Sequence, residues 1–335
     1  FLPLNTAYTP SELEYFLADA KPFIFVCDPE TAPTLEGLAA QAGVSKVLTL
    51  SSDGTGTLME ALPTHTENFK EVARAKDDLA AFLYTSGTTG RSKGAMLTHD
   101  NLVSNAQALQ QCWHFDRHDV LIHALPIFHI HGLFVATNVT LCAGASMLFM
   151  PRFNSETILS LMSKATVLMG VPTFYVRLLE SPNLSPKTVA PMRLFISGSA
   201  PLLAETHKQW SAVTGAEILE RYGMTETNMN TSNPYEGERR AGTVGMPLPG
   251  VEVRITDADS GQQLGQGEIG SVEIRGPNVF KGYWQMPEKT KQEFREDGFF
   301  ITGDLGTMDG DNYLSIVGRS KDLITSGGYN VYPKE

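Results

Sequence analysis

Short apolar runs alternate with amphipathic stretches over residues 1–241, and this pattern predicts strands and helices in turn. Residues 10–17 follow Thr9 and open with a proline, as the first turn of a helix often does. Alternating strands and helices favour parallel sheets covered on both faces, with ligands at the carboxyl ends of the strands. Strands are predicted at residues 22–27, 46–50, 80–84, 121–125, 166–171, 193–197 and 217–220, and helices at 10–17, 101–111, 172–179 and 202–213.

The pattern changes after residue 241. Residues 252–255 and 271–275 alternate polar and apolar side chains, as do the segments around Phe299 and Tyr313, and turns rich in glycine and aspartate separate them. This period-two alternation predicts an antiparallel, barrel-like β unit. We therefore predict an α/β fold in three parts: layered α/β subdomains over 1–241, a small antiparallel β-barrel-like subdomain over 242–321, and a hinge with the start of a further domain over 322–335.

Composition narrows the classes of partner. A formal net charge of −11 argues against a nucleic-acid-binding face, which would be basic. The most apolar region, residues 120–150, is interrupted by three histidines and Pro126, so no membrane-spanning helix is expected. Cys27, Cys112 and Cys142 lie too far apart for a paired motif, which is typical of reduced thiols in a cytoplasmic protein, or a mitochondrial one in a eukaryote. Oligomeric state is left open.

The chain opens at Phe1 without a methionine and stops at Glu335 without a terminating signal. Both ends are therefore expected to be cuts through a longer protein.

Residues 84–94 carry the strongest chemical signal, between a predicted strand and a predicted helix. Glycines let the backbone approach a ligand, and backbone N–H groups and hydroxyls can donate to phosphate oxygens. Lys93 adds a positive charge, although the Gly-Lys-Ser/Thr order of a Walker A loop is missing. The alternative is a flexible linker. The candidate phosphate contacts in this segment are Thr85, Ser86, Gly87, Thr88, Thr89, Gly90 and Lys93.

Four motifs follow one another in an order that resembles the adenylate-forming enzymes, which include acyl-CoA synthetases, luciferases and adenylation domains. They occupy residues 84–94, 222–226, 301–305 and 318–322. Four ordered motifs are far more specific than any one alone. Residues 169–175, 193–203 and 220–232 further resemble the malonyl-CoA and methylmalonyl-CoA synthetase branch.

The resemblance implies a site for ATP and Mg²⁺. Tyr222 would stack on adenine, Thr225 would bond the α-phosphate, Glu226 would hold Mg²⁺, and Asp304 would accept hydrogen bonds from ribose. Standing alone, the two carboxylates could equally be a solvated loop residue and a turn former. The other implied ATP contacts are Gly198, Ser199, Ala200, Glu220, Arg221, Gly223, Met224 and Arg319.

On the acyl side, the resemblance makes His129 a gate or an orienting group at the reacting carboxylate. Arg91 and His129 match residues implicated in activity in that branch, and Ile130 and Met229 would shape the pocket. A bulky Ile130 would limit branching, which favours malonate over methylmalonate. The alternatives for His129 are a hydrogen-bonded loop residue or a metal ligand with His131, for which no third ligand is evident.

Arg177 is the candidate partner of a second, unreacting carboxylate. It lies on an otherwise apolar helix face, and a guanidinium matches a carboxylate in bidentate geometry. The resemblance assigns it that role, with Ser199 assisting. The alternative is a surface arginine whose stem covers apolar neighbours.

The implied reaction is ATP-dependent ligation of malonate to coenzyme A through an acyl-adenylate, with release of AMP and pyrophosphate. Asp322 would be the hinge to a small domain whose catalytic lysine lies beyond Glu335, so this chain alone is expected to adenylate poorly. Three alternatives stay open. They are a ligase for another acid, such as a medium-chain or aromatic one, an amino-acid-loading adenylation domain, and a non-catalytic nucleotide-binding module.

Overall fold

The computed structural model describes residues 1–62, 70–85 and 91–322, together with the backbone of residues 324–326 and 329–331. These residues form two compact units. One unit contains residues 4–74, and the other contains residues 1–3 and 75–335.

The smaller unit pairs two short strands and packs helices against them. Its first helix begins after Thr9, whose hydroxyl accepts from the Glu12 backbone N–H while the Glu12 carboxylate accepts from the Thr9 backbone N–H, which forms a capping box. Leu17 and Ala39 are fully buried between the elements. The elements are α1 (Pro10–Ala20), β1 (Ile24–Cys27), α2 (Ala32–Gln41), β2 (Lys46–Thr49) and α3 (Thr57–Glu60), with β1 and β2 parallel.

The larger unit contains the remaining elements. Its helices are α4 (His99–Cys112), α5 (Thr137–Cys142), α6 (Ser155–Leu161), α7 (Pro172–Leu179), α8 (Pro186–Val189), α9 (Ala204–Thr214) and α10 (Pro287–Gln292), with a π-helix at His131–Ala136 and 3-10 turns at Met162–Lys164 and Ser320–Asp322. Its strands are β3 (Leu79–Thr85), β4 (Lys93–Thr98), β5 (Val120–His123), β6 (Ser146–Phe149), β7 (Val167–Gly170), β8 (Leu194–Ser197), β9 (Ile218–Met224), β10 (Asn228–Ser232), β11 (Met246–Pro247), β12 (Glu252–Thr256), β13 (Gly270–Arg275), β14 (Gly282–Tyr283), β15 (Phe300–Met308), β16 (Leu314–Arg319), β17 (Ile324–Ser326) and β18 (Tyr329–Val331).

A seven-stranded sheet organises this unit, in the order β11-β10-β9-β8-β7-β5-β6. The five strands from β9 to β6 are parallel, and β10 and β11 extend the sheet in antiparallel fashion. Strands β7 and β8 are buried at every residue, as expected of central strands covered on both faces. Trp210 of α9 is fully buried and packs edge-on to Phe195 of β8. The prediction of layered α/β structure is thereby confirmed.

The segment that follows the glycine-rich loop corrects one prediction. We expected the loop to lead from a strand into a helix, but β4 follows it and pairs antiparallel with β3, from Thr85 opposite Lys93 to Leu79 opposite Thr98. Helix α4 begins only at His99, capped by the Thr98 hydroxyl. The strand that precedes the loop is therefore followed by its antiparallel partner, and the first helix after the loop begins at His99.

The β-rich region after residue 241 contains a four-stranded antiparallel sheet, in the order β12-β13-β15-β16. Strands β14, β4 and β3 form a separate three-stranded sheet, so the chain returns from this region to pair with the hairpin. The predicted boundaries at residues 241 and 321 stay predictions. Over the described ranges, no helix is both long and apolar enough to cross a membrane.

Candidate active site

A cavity of about 790 Å³ lies at the carboxyl ends of the parallel strands. Segments that follow β5, β7 and β8 contribute to it, as does the end of β9, which is where open α/β sheets bind ligands. The β3–β4 hairpin, β15 and the 3-10 turn at Ser320–Asp322 contribute further lining residues. The predicted site residues that line it are Thr85, Lys93, His129, Ile130, Ser199, Arg221, Gly223, Met224, Thr225, Glu226, Met229, Arg319 and Asp322.

The remaining predicted site residues are either outside the described part of the chain or described but absent from the cavity lining. Ser86, Gly87, Thr88, Thr89 and Gly90 lie outside the described residues. Arg91 is exposed and does not line the cavity. Gly198, Ala200, Glu220, Tyr222 and Asp304 are neighbours of lining residues in the chain without lining the cavity themselves.

Tyr222, Asp304 and Arg319 form one hydrogen-bonded group. The Tyr222 hydroxyl donates to Oδ2 of Asp304 at 2.5 Å, and Nε of Arg319 lies 2.9 Å from Oδ1 of the same carboxylate. Burial raises the pKa of Asp304, and the Arg319 charge and the Tyr222 hydrogen bond partly offset that effect. The three residues come from β9, β15 and β16, so the second, third and fourth sequence motifs meet at this point.

A second polar group links Lys93 to Glu226. The Tyr283 hydroxyl lies 2.9 Å from Oε1 of Glu226 and 2.7 Å from Oε2 of Glu293, and Lys93 Nζ lies 3.2 Å from Oε1 of Glu293. Lys93 Nζ also lies 4.0 Å from the centre of the Tyr283 ring. Burial raises the pKa of Glu226, while Lys289, Tyr283 and Lys93 outweigh burial and lower the pKa of Glu293.

The acyl-side candidates surround the end of β8. Ser199 has φ 71°, an uncommon conformation for a residue with a side chain, and its Oγ lies 3.1 Å from Nδ1 of His131. His131 begins the π-helix and is buried, whereas His129 is exposed at the cavity. Ile130 and Met229 are buried lining residues. The structure thus brings the predicted acyl-side groups together, with the exception of Arg177.

Arg177 lies in the last turn of α7 and is exposed. Its guanidinium carbon lies 5.7 Å from the centre of the Phe153 ring, and it does not line the cavity. Its assignment to a second carboxylate stays a prediction.

Comparisons with known proteins identify the family. A sequence model of the family described as AMP-binding enzyme matches residues 1–284. The chain belongs to the family of AMP-binding enzymes.

Three relatives of this AMP-binding enzyme extend the comparison. A malonate–CoA ligase of Arabidopsis thaliana is 36% identical over 98% of this chain and 57% of the relative. The ATP-bound crystal structure of MatB from Rhodopseudomonas palustris is 63% identical, with a TM-score of 0.97 over 99% of this chain and 66% of that one. A malonyl-CoA ligase in a product complex with methylmalonyl-CoA and AMP is 39% identical, with a TM-score of 0.82 over 98% and 68% of the two chains.

The chain spans between 57% and 63% of the length of the malonate–CoA ligases that it matches.

Three polar residues of this AMP-binding enzyme's cavity were missed by sequence reasoning. Tyr283, Lys289 and Glu293 all line it, and Lys289 Nζ lies 2.8 Å from Oε1 of Glu293. Tyr283 ends β14, Lys289 lies in α10 and Glu293 directly follows that helix, a stretch in which we recognised no motif. The i, i+4 spacing of Lys289 and Glu293 is a helix-surface pairing that could have been found, but it does not indicate a ligand.

A Mg²⁺ ion fits this donor set if the protein and a bound nucleotide share its coordination. Across the residues that the structure describes, no group of three or more His, Cys, Asp or Glu side chains could hold a metal ion. Glu226 is a carboxylate on the cavity wall, and Mg²⁺ usually takes one or two carboxylates together with substrate phosphates. Glu226 would therefore hold the ion only when a nucleotide is bound.

Gly223 has a packing requirement besides its place in the second sequence motif. A Cβ at this position would collide with the backbone oxygen of Asn228 and would lie 2.8 Å from Cα of Met229. We expect Gly223→Ala to lower the free energy of unfolding by roughly 2 kcal/mol or more, because the paired β10 backbone cannot move away. Urea denaturation would measure the change.

The matched control is Gly37→Ala, in the middle of α2, where a Cβ would meet no atom within 4 Å. It should be neutral or stabilising by about 0.5–1 kcal/mol, because alanine is a better helix former than glycine. Equal effects of the two substitutions would contradict the packing argument.

Proposed function

We propose that this AMP-binding enzyme ligates malonate to coenzyme A through an acyl-adenylate, releasing AMP and pyrophosphate. One observation carries the proposal. A single cavity is lined by the phosphate-side candidates Lys93, Thr225 and Glu226 and by the acyl-side candidates His129 and Ser199. A carboxylate bound at the acyl end would therefore face the nucleotide. The names of the malonate–CoA ligase and malonyl-CoA ligase relatives support malonate as the acid.

In the proposed first step, a carboxylate oxygen of malonate attacks the α-phosphorus of ATP in line, and the bond to the bridging oxygen of pyrophosphate breaks. Negative charge spreads over the phosphate oxygens in the transition state, so positioned cations and donors lower the barrier. Lys93 supplies a cation and Thr225 a hydroxyl donor at the cavity wall. A Mg²⁺ ion held by Glu226 would neutralise part of the negative charge of the phosphates.

The second step transfers the acyl group. The thiol sulfur of coenzyme A attacks the acyl carbon of the adenylate, AMP leaves with the bonding pair, and the thiol proton is released. No protein nucleophile is required. Asp322 lines the cavity beside Arg319 and Ser320, so the proposed hinge adjoins the reacting groups.

The proposal includes a cytoplasmic location, or a mitochondrial one in a eukaryote.

A carboxylate panel tests the proposal. Pyrophosphate release from ATP by the full-length gene product should be fastest with malonate and slower with methylmalonate, succinate, acetate and octanoate. Preference for a monocarboxylate would keep the family assignment and exclude malonate. ATP binding without acid-dependent pyrophosphate release would indicate a non-catalytic nucleotide-binding module.

A further inference from the structure

Lys289 is a cation on the cavity wall that lies outside all four sequence motifs. It belongs to α10, lines the cavity, and has a side chain that is 34% exposed. Its Nζ lies 2.8 Å from Oε1 of Glu293. On an open helix surface, such a pair at i and i+4 contributes little. Here the same carboxylate also contacts a second lysine, so the pair belongs to a larger charged group.

Glu293 holds two lysines on one oxygen atom. Lys93 Nζ lies 3.2 Å from the same Oε1, so the two ammonium groups lie within about 6 Å of each other, where like charges repel. The other oxygen, Oε2, lies 2.7 Å from the Tyr283 hydroxyl. With Glu226 assigned to Mg²⁺, the two lysines exceed Glu293 by one positive charge. An anion placed between the lysines would relieve their repulsion.

The backbone fixes the position of Lys289 relative to Lys93. Strand β14 pairs with β4, with Tyr283 opposite Ala95, and β4 begins at Lys93. The Tyr283 N–H donates to the Thr290 hydroxyl at 2.9 Å, which ties α10 to β14. The two lysines are therefore carried by neighbouring segments that are hydrogen-bonded to one another.

The second sequence motif indicates which end of a nucleotide would face Lys289. In the proposed function, Tyr222 contacts the nucleoside and Thr225 the α-phosphate, so the motif runs from the nucleoside towards the phosphates. Glu226 comes next, and its Oε1 lies 2.9 Å from the Tyr283 hydroxyl. That hydroxyl also contacts the carboxylate that holds Lys289. Lys289 therefore lies beyond the α-phosphate, at the end of the cavity towards which the β- and γ-phosphates would extend.

Two converging ammonium groups match a diphosphate. Each ammonium offers three donors and a point charge, and phosphate oxygens accept hydrogen bonds and carry negative charge. We propose that Lys289, together with Lys93, binds the β- and γ-phosphates of ATP and the pyrophosphate that forms from them. Pyrophosphate leaves with the bonding electron pair, and the two cations stabilise this charge. The assignment rests on the proposed function for the presence of ATP in the cavity.

Binding of two nucleotides tests the assignment without any acid. The α,β-methylene analogue of ATP has three phosphates but cannot be cleaved at the reacting bond, and AMP has only the α-phosphate. We expect Lys289→Met to weaken binding of the analogue to the full-length protein in Mg²⁺ by roughly tenfold, because a charge-assisted contact is lost. The affinity for AMP should change by less than about twofold, because AMP carries no phosphate near this lysine. Isothermal titration calorimetry measures both affinities.

Lys291→Met is the matched control. Lys291 lies in the same helix, is exposed and does not line the cavity, so both affinities should equal those of the wild type. Lys289→Arg keeps the positive charge and should recover most of the affinity for the analogue. All three variants should melt at the wild-type temperature, because each change replaces a side chain outside the buried core.

Glu293→Gln separates a direct phosphate contact from an effect through the carboxylate. The substitution keeps the shape of the side chain and removes the charge with which Lys289 pairs. If Lys289 binds phosphate itself, adding Lys289→Met to Glu293→Gln should again weaken binding of the analogue by roughly tenfold.

Three outcomes would overturn the assignment. Equal losses for the analogue and AMP would make Lys289 a structural residue. No further loss in the double variant would mean that Lys289 only orients Glu293. A change of less than about twofold for the analogue in Lys289→Met would be typical of a solvated surface lysine.

Failure of the proposed function is seen in a different measurement. A protein that binds the analogue but releases no pyrophosphate with any acid is not a ligase of the proposed kind. The titrations need no acid, so they decide the role of Lys289 in either case.

Discussion

Glu226→Gln should lower the rate of pyrophosphate release by on the order of 1,000-fold, the upper range for loss of one preorganised electrostatic group. The substitution keeps the shape of the side chain and an oxygen that can accept from Tyr283, whose hydroxyl lies 2.9 Å from Oε1. It removes the negative charge that would hold Mg²⁺ at the phosphates. Glu226 is 5% exposed, so little water is available to substitute for the lost charge.

Initial rates of pyrophosphate release across a range of Mg²⁺ concentrations would measure this effect, with the acid that the carboxylate panel identifies. Excess Mg²⁺ should restore part of the activity of Glu226→Gln, because weakened binding of the ion is the expected cause. Tyr283→Phe, which loses a hydrogen bond but keeps the carboxylate, should cost only about tenfold. A Glu226→Gln rate within threefold of the wild type, or a loss that Mg²⁺ does not change, would contradict the role.

The matched control for Glu226→Gln is Glu288→Gln. Glu288 lies in the first turn of α10, is exposed and does not line the cavity. Its activity should equal that of the wild type. A comparable loss in both variants would indicate a general effect of charge on the protein.

Local signals in the sequence were enough to predict the central layers. Pro172 fixes the first turn of α7, and the predicted helix at residues 172–179 matches Pro172–Leu179. The buried apolar runs gave β7 and β8 to within two residues. The hairpin was missed because β4 is defined by its pairing with β3, in which Gly94 lies opposite Tyr84. Residues 94–98 carry no turn or alternation signal in the sequence that would distinguish a strand from the segment leading into α4.

The candidate site likewise contains residues with local sequence signals and contacts between distant residues that have none. Thr225, Glu226 and Arg319 line the cavity, and each lies in a short motif that can be recognised from the local sequence. The ion pair of Lys93 with Glu293 joins residues 200 positions apart, and no local pattern reports such a contact. Exposure likewise depends on what covers a helix, so an apolar helix face in the sequence could not show that the Arg177 side chain is exposed.

Asp119→Asn should lower the free energy of unfolding by about 2 kcal/mol, because the buried Asp119 loses the charge that pairs with the partly exposed Arg193. The Asp119 carboxylate accepts from Nε and Nη2 of Arg193 at 2.7 and 2.6 Å, from the Thr166 hydroxyl at 2.7 Å and from the Asp116 N–H at 3.0 Å. These contacts tie the segment before β5 to those before β7 and β8. The ion pair therefore stabilises the amino ends of these three strands, and the cavity lies at their carboxyl ends.

Dependence on pH provides a second test of the same pair. Burial alone would raise the pKa of Asp119, but the hydrogen bonds from Arg193, Asp116 and Thr166 outweigh it and hold the pKa below its ordinary value. A carboxyl whose folded pKa is depressed stabilises the protein above its unfolded pKa, and that stability is lost as the pH falls through the folded pKa. The difference between wild type and Asp119→Asn should be constant above about pH 5 and should shrink below about pH 4.

Urea denaturation followed by tryptophan fluorescence suits this measurement, because Nη1 of Arg193 donates to the backbone oxygen of Trp113 at 3.1 Å. Asp116→Asn is the matched control in the same loop. Asp116 is exposed and accepts from the His118 N–H, so its substitution should change stability by less than about 0.5 kcal/mol. If Asp119→Asn were no more destabilising than Asp116→Asn, or if the difference grew on acidification, then Arg193 would be held by its contacts with the Trp113 and His114 carbonyls and not by the carboxylate.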